Sequence, residues 1–218
     1  MTLAPATPAT TPRPRPVHYP ESDGKPMAET DVHRNEMFAL IGALRWRYRD
    51  APDVYVSGNL LLYFEEGNPR RSVAPDVFVV KGVPPGDRRT FLLWAEGTPP
   101  CVVIEVSSRA TRREDLRTKR ALYARLGVRE YFLFDPLEEY LRPPLQGYRL
   151  AGDDFAPIAP GSRGALDSVE LGLTLVRDGS RLRLFDTASG AEVMDDARRA
   201  DDAEARALAA EAELARLR

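Results

Sequence analysis

Between positions 101 and 135 the chain holds the feature that most constrains its fold: an apolar strand, a helix and a second apolar strand in direct succession. Residues 101–107 place Cys-Val-Val-Ile ahead of Glu105, apolar on both faces, as a strand covered by layers on either side requires. Thr111-Arg-Arg-Glu114 reads as a capping box that opens a helix. Leu116, Leu122, Tyr123 and Leu126 form its apolar stripe, and Gly127 is its stop signal. Residues 130–135 return to strand and end at Pro136. Two strands joined through a helix in this way lie parallel in one sheet, with a right-handed crossover.

Further elements surround this unit. A helix begins with Thr30 as N-cap, carries Met37, Leu40, Ile41, Leu44 and Tyr48 on one stripe, and is stopped by Pro52. His33 lies one turn before Met37 on that stripe. Residues 54–64 and 72–80 read as strands, 81–86 as a loop, and 87–100 as irregular chain anchored by Trp94. Residues 140–190 read as short strands and hairpins. The fold class is therefore α/β with a mixed sheet. Residues 1–20, rich in Pro and Thr, are expected to form a disordered arm. Residues 21–194 form the folded domain, and 195–218 a charged, solvated C-terminal helix.

Composition removes several classes of function. The chain has 31 basic and 33 acidic residues, a net charge of −2, so it does not bind nucleic acid by bulk charge. A single cysteine, Cys101, excludes an internal disulfide, and with only two histidines it argues against structural zinc. No apolar run approaches the roughly 20 residues of a membrane helix. The first residues lack a signal peptide's apolar segment, so the expected location is the cytoplasm. Neither G-x-G-x-x-G nor a P-loop occurs.

Two carboxylates stand where carboxylates are costly. Asp76 follows Pro75 inside the apolar run 73–80, and Glu105 interrupts 102–106. A buried acid needs a hydrogen-bond network, a cationic partner or a metal. Two of them on neighbouring strands can converge on a hard divalent cation such as Mg²⁺. The alternative is that each ends its strand or pairs with an Arg. Only three of the 31 basic residues are Lys, and one of them, Lys119, occupies the middle of the second helix's apolar stripe. An i,i+4 pair with Asp115 accounts for its charge. It does not account for its place on the buried face, where a Lys can reach the carboxylates. Residues 109–129 carry eight basic residues against two acidic ones, a patch suited to a polyanion. Without metal, repulsion and burial are expected to raise the pKa of Asp76 and Glu105 together.

These residues resemble the PD-(D/E)XK nuclease superfamily, and more closely its Uma-two-type, restriction-endonuclease-like branch. The likeness is carried by Pro75-Asp76, by Ile104-Glu-Val-Ser-Ser108, by Thr111 through Lys119, and by Tyr123 through Pro136 with its Gly-Val-Arg-Glu-Tyr run. It implies a restriction-endonuclease-like α-β-β-β-α-β core with additional β-hairpins. It implies an Mg²⁺-dependent endonuclease, with Mn²⁺ as a substitute ion, that hydrolyses the phosphodiester bonds of nucleic acid, DNA before RNA. Asp76, Glu105 and the Val106 carbonyl would bind the metal. Asp76, Glu105 and Lys119 would be the catalytic set, with His33 as a secondary member. Arg112, Arg113, Arg117 and Arg120 would contact nucleic acid. Ser107 stands where the superfamily places its Lys, so Lys119 on the following helix is the matching cation. No membrane partner is expected, and a homodimer stays open. The alternative function is a catalytically inert nucleic-acid-binding or assembly module on the same fold.

Overall fold

The computed structural model describes residues 17–22, 24, 30–108 and 113–216. Its first helix, α1 (Asp31–Arg47), starts where Thr30 Oγ1 accepts from the His33 N–H at 3.2 Å. It ends at Arg47, ahead of Pro52, because Tyr48 turns out of helical geometry while its N–H still reaches Leu44 O. Strands β1 (Val54–Ser57), β4 (Val77–Lys81), β6 (Val102–Val106), β7 (Glu130–Phe134), β8 (Leu145–Ala151) and β9 (Asp154–Pro157) form one sheet in the order β1-β4-β6-β7-β8-β9. Within it only β6 and β7 pair parallel. They are the two strands joined through the second long helical segment, as that connection requires. The path α1, β1, β4, β6, helix, β7 is the expected α-β-β-β-α-β core.

The expected strands at 54–64 and 72–80 are each cut in two. The chain leaves β1 at Gly58-Asn59 and resumes as β2 (Leu62–Tyr63), while β3 (Ser72–Val73) is separated from β4 by Ala74-Pro75-Asp76. Pro75 has no N–H for a ladder, and a break there follows. Strands β3 and β2 join β5 (Phe91–Leu92) in a small three-stranded sheet, and Leu93–Glu96 adds a short helix, α2. Strands β10 (Leu166–Ser168), β11 (Leu173–Asp178), β12 (Arg181–Asp186) and β13 (Glu192–Val193) form a third, antiparallel sheet.

The alternation along β6 divides the core. Val102, Ile104 and Val106 pack with Met37, Leu40 and Leu44 of α1 and with Leu173, Leu175 and Leu184 of the third sheet. Val103 faces the other way, toward Tyr123, Tyr131 and Phe91. Both faces are covered, which is why the strand reads as a continuous apolar run.

The ends of the chain also differ in part from expectation. Residues 1–16 of the arm lie outside the described residues. Tyr19 is held at 5.1 Å between ring centroids against both Tyr63 and Trp94, and Tyr63 OH donates to Pro20 O at 2.6 Å. Tyr19 and Pro20 thus pack on the small sheet and α2. The C-terminal helix α4 (Asp196–Arg216) touches the body at its first turn, where the Arg199 guanidinium lies 3.1 Å from the Trp46 ring centroid. Farther along it is solvated, with Leu208 60% exposed. Among the described residues no helix is long and apolar enough to cross a membrane.

Candidate active site

Thr111 lies outside the described residues, and Glu114 opens the second helical segment as an exposed residue. The segment begins as a π-helix, Glu114–Lys119, and continues as α3, Arg120–Leu126. In a pure α-helix, residues i, i+4 and i+8 drift about 40° per step around the axis. A wider π turn removes part of that drift. Asp115, Lys119 and Tyr123 consequently share the buried face, while Leu116, Leu122 and Leu126 are only partly covered. The buried stripe is polar where an apolar one was expected. The Asp115 carbonyl, in the π turn, accepts from Tyr131 OH at 3.0 Å, so a side chain satisfies a backbone group in this irregular stretch.

Glu105 lies at the centre and is fully buried. Its Oε2 accepts from Lys119 Nζ at 2.9 Å and from the Asp76 N–H at 3.3 Å. Its Oε1 accepts from Tyr123 OH at 2.7 Å. Lys119 Nζ also lies 3.1 Å from Asp115 Oδ1, and Asp115 Oδ2 accepts from Ser107 Oγ at 3.4 Å. Asp76 Oδ2 accepts from the Val106 N–H at 2.8 Å and sits 3.2 Å from His33 Nε2. His33 comes from α1 on one face of the sheet, and Lys119 and Tyr123 come from the helix on the other. The break at Pro75 leaves Asp76 just before β4, where its carboxylate meets His33 and the Val106 N–H and its own N–H meets Glu105.

Gly58 fixes that break from outside. A Cβ on Gly58 would fall 1.9 Å from Asp76 O and 2.7 Å from Ile41 Cδ1. No side chain fits there without moving the Asp76 backbone.

Charge in the cluster is uneven. Burial pulls Asp76 upward, but the His33 hydrogen bond, the Lys119 charge and the Val106 N–H outweigh it and hold its pKa below the ordinary carboxylate value. Burial dominates at Glu105; Lys119 opposes it, Asp76 and Asp115 add to it, and the pKa is pushed up to about 8. Burial alone would lower Lys119, yet Glu105, Asp115 and Asp76 raise its pKa above the usual value and keep it charged. The expected joint rise of the two acids therefore holds for Glu105 and fails for Asp76, because His33 and the Val106 N–H are aimed at Asp76.

The predicted residues thus fall into groups. Asp76, Glu105, Lys119 and His33 meet in one cluster. Val106 reaches Asp76 through its N–H. Arg113 and Arg117 are exposed and have no hydrogen-bond or ion-pair partner among the described residues. Arg120 is turned into the fold: it donates to Phe155 O at 2.6 Å and lies 4.3 Å from the Tyr148 ring centroid. Arg112 lies outside the described residues. Three members of the cluster were not anticipated as such. The sequence marks Asp115 only as an i,i+4 partner of Lys119, Tyr123 as part of an apolar stripe and Ser107 as a departure from the superfamily pattern.

The donor set suits a hard cation. Asp76 and Glu105 supply carboxylate oxygens, and each ionised oxygen has more than one lone pair, so the bonds to Lys119 and Tyr123 do not exhaust Glu105. Three carboxylates surround one Lys and one His, and at Glu105 burial, with Asp76 and Asp115, outweighs the Lys119 charge. Among the described residues no group of three or more His, Cys, Asp or Glu is arranged to hold a metal by itself. A cation would complete its shell with water, backbone or substrate oxygens, as Mg²⁺ usually does.

The chain is similar to a crystal structure described as "a putative nuclease belonging to DUF820" from Anabaena variabilis. The two are 15% identical, with 69% of this chain and 81% of that one covered at a TM-score of 0.49. No curated protein matches the chain. The Uma2 family, described as "Putative restriction endonuclease", matches residues 9–174, well over half of the sequence, and the chain belongs to that family.

Proposed function

We propose that the protein is a metal-dependent endonuclease that hydrolyses phosphodiester bonds of nucleic acid, DNA in the first place. The observation that carries this reading is the convergence of Asp76, Glu105 and Lys119, with Lys119 Nζ 2.9 Å from Glu105 Oε2. Asp76 and Glu105 would hold Mg²⁺ or Mn²⁺, with the Val106 carbonyl as a further donor. When bound, the ion would supply charge for the transition state and lower the pKa of a water. Asp76 is fixed for that task by the Val106 N–H, and His33 keeps it ionised. Tyr123 orients Glu105 through Oε1. Lys119, held between Glu105 and Asp115, can donate to the attacking water or to the phosphoryl oxygen that gains charge. Arg113 and Arg117 are free to meet phosphates.

A second reading has one observation in its favour. Both oxygens of Glu105 already accept bonds, from Lys119 and from Tyr123, as in a site built only for stability. On that reading the fold is an inert nucleic-acid-binding or assembly module. Incubating plasmid and single-stranded DNA with Mg²⁺ or Mn²⁺, beside the Asp76→Asn variant, separates the two. The nuclease reading expects cleavage by the wild type, none in EDTA and none by Asp76→Asn. Binding without cleavage under all metal conditions would establish the inert module.

A further inference from the structure

Arg113 and Arg117 stand four residues apart along one helical segment. Like charges at that spacing repel. Several other arginines of the chain are ion-paired: Arg88 with Glu96, Arg149 with Glu130, Arg181 with Glu36, Arg183 with Asp178. Arg113 and Arg117 instead line a cavity of about 500 Å³, whose other described lining residues are Leu116 and Tyr140. That volume lies within the roughly 300–1,000 Å³ of small-ligand sites.

Both walls are anchored close to the carboxylate cluster. On one side Arg113, Leu116 and Arg117 bracket Asp115, and Lys119 lies half a turn farther along. On the other side Tyr140 follows the end of β7, the strand parallel to β6. Buried Asp135 shapes that turn, its Oδ1 accepting from the Leu137 N–H at 3.2 Å and its Oδ2 from the Leu141 N–H at 2.9 Å and from the Tyr140 N–H. Two guanidinium groups suit a phosphate, and a phenol ring with a leucine suits the face of a base.

We infer that this cavity is a nucleotide subsite, with a phosphate on Arg113 and Arg117 and one unstacked base against Tyr140 and Leu116. It rests on the nucleic-acid reading above and narrows the substrate to single-stranded nucleic acid. A base inside a continuous duplex is stacked and paired, and could enter only by leaving the helix.

Binding in EDTA tests the subsite apart from catalysis. The probes are fluorescent oligo(dT) and oligo(U) of about 12 nucleotides and a DNA duplex of the same length. The full-length protein should bind single strands about tenfold tighter than duplex, and Tyr140→Leu should weaken single-strand binding about tenfold while leaving duplex binding unchanged. Tyr140→Phe should bind as wild type does. Should Tyr140→Leu not fold, the exposed pair Arg113→Gln with Arg117→Gln decides, by flattening the slope of log K against log salt by about 1–2 for single strands. Duplex preferred over single strand, or single-strand binding unmoved by these variants, overturns the subsite even where cleavage occurs. Tyr140-dependent binding without cleavage in Mg²⁺ or Mn²⁺ would leave the subsite standing and reject the nuclease reading.

Discussion

Two buried glutamates on neighbouring parallel strands are served very differently. Glu130, at the start of β7, is 1% exposed and meets five donors: Arg149 through Nε at 3.0 Å and Nη2 at 2.8 Å, the Ser168 hydroxyl, the Val169 N–H at 3.0 Å and the Glu170 N–H at 3.2 Å. These donors tie the large sheet to the approach of the third one. Glu105, near the end of β6, is 0% exposed and shares its one cation with Asp115, while Asp76 brings a further negative charge against it. A buried acid with a full set of donors and its own arginine holds a fold together. A buried group of three acids around one lysine and one histidine has fewer cations than acids, and a bound divalent ion would supply the missing positive charge.

The comparison breaks most readily on stability. Glu130→Ala leaves the Ser168 hydroxyl and two backbone N–H groups without their acceptor, which costs about 3–5 kcal/mol in all, while the half-exposed Arg149 adds little. At about 2–4 °C per kcal/mol for a chain of this size, the melting midpoint should fall by roughly 6–20 °C. Cleavage measured well below that midpoint should persist. Glu105→Gln should do the opposite, melting within a few degrees of wild type and cleaving nothing. Equal losses of stability in the two variants, read by calorimetry, would place Glu105 with Glu130 as a structural acid.

The difference between the two acids was only partly legible in the sequence. Glu105 and Asp76 showed themselves because each is a charge inside an apolar run, and Lys119 because it is a lysine on an apolar stripe. The unit of β6, helix and β7 was legible because its strands are apolar on both faces and Gly127 closes the helix in the left-handed region at φ +83°. Asp115 was hidden, since an i,i+4 Asp–Lys pair looks the same on a surface and in a core. The π turn that brings Asp115, Lys119 and Tyr123 onto one face has no residue signature. Tyr123 read as core because its ring is core, and only its hydroxyl belongs to the site. Gly58 acts through a contact with Asp76 that sequence spacing does not encode. The break before Asp76 did have a signal, Pro75 within a strand.

Divalent metal should sharpen the contrast. An ion that binds only the folded state adds about 2.7 kcal/mol at a hundredfold excess over Kd, or about 5–10 °C in midpoint. Wild type and Glu130→Ala should both gain this shift with Mn²⁺, whereas Asp76→Asn and Glu105→Gln should not. A shift of equal size in all four proteins would mean that the ion binds elsewhere.

Smaller again, taken per pH unit, is the expected effect of pH. The folded pKa of Glu105 is raised to about 8, so without metal the native state holds more protons than the unfolded chain above the ordinary carboxylate pKa of 4.5. Stability should then decline as pH rises from about 5 to about 8, by at most about 1.4 kcal/mol per pH unit. Lys119 does not offset this slope, because its folded and unfolded pKa values both lie above the window and its contribution there is constant. Asp76 acts below the window, its lowered pKa giving stability that is lost only as pH falls into the acid range. Glu105→Gln should flatten the decline, and saturating Mn²⁺ should reduce it. A decline unchanged in Glu105→Gln would trace it to another group.

The central claim is that Asp76 and Glu105 hold a divalent cation, and Mn²⁺ anomalous diffraction from crystals of the full chain tests it most directly. The account predicts an anomalous peak within bonding distance, about 2.0–2.2 Å, of carboxylate oxygens of both Asp76 and Glu105. It also predicts that Lys119 stays beside Glu105 and that the peak is lost in Asp76→Asn crystals. Crystals soaked in Mn²⁺ that show no peak there, with Glu105 still bonded only to Lys119, Tyr123 and the Asp76 N–H, would contradict it.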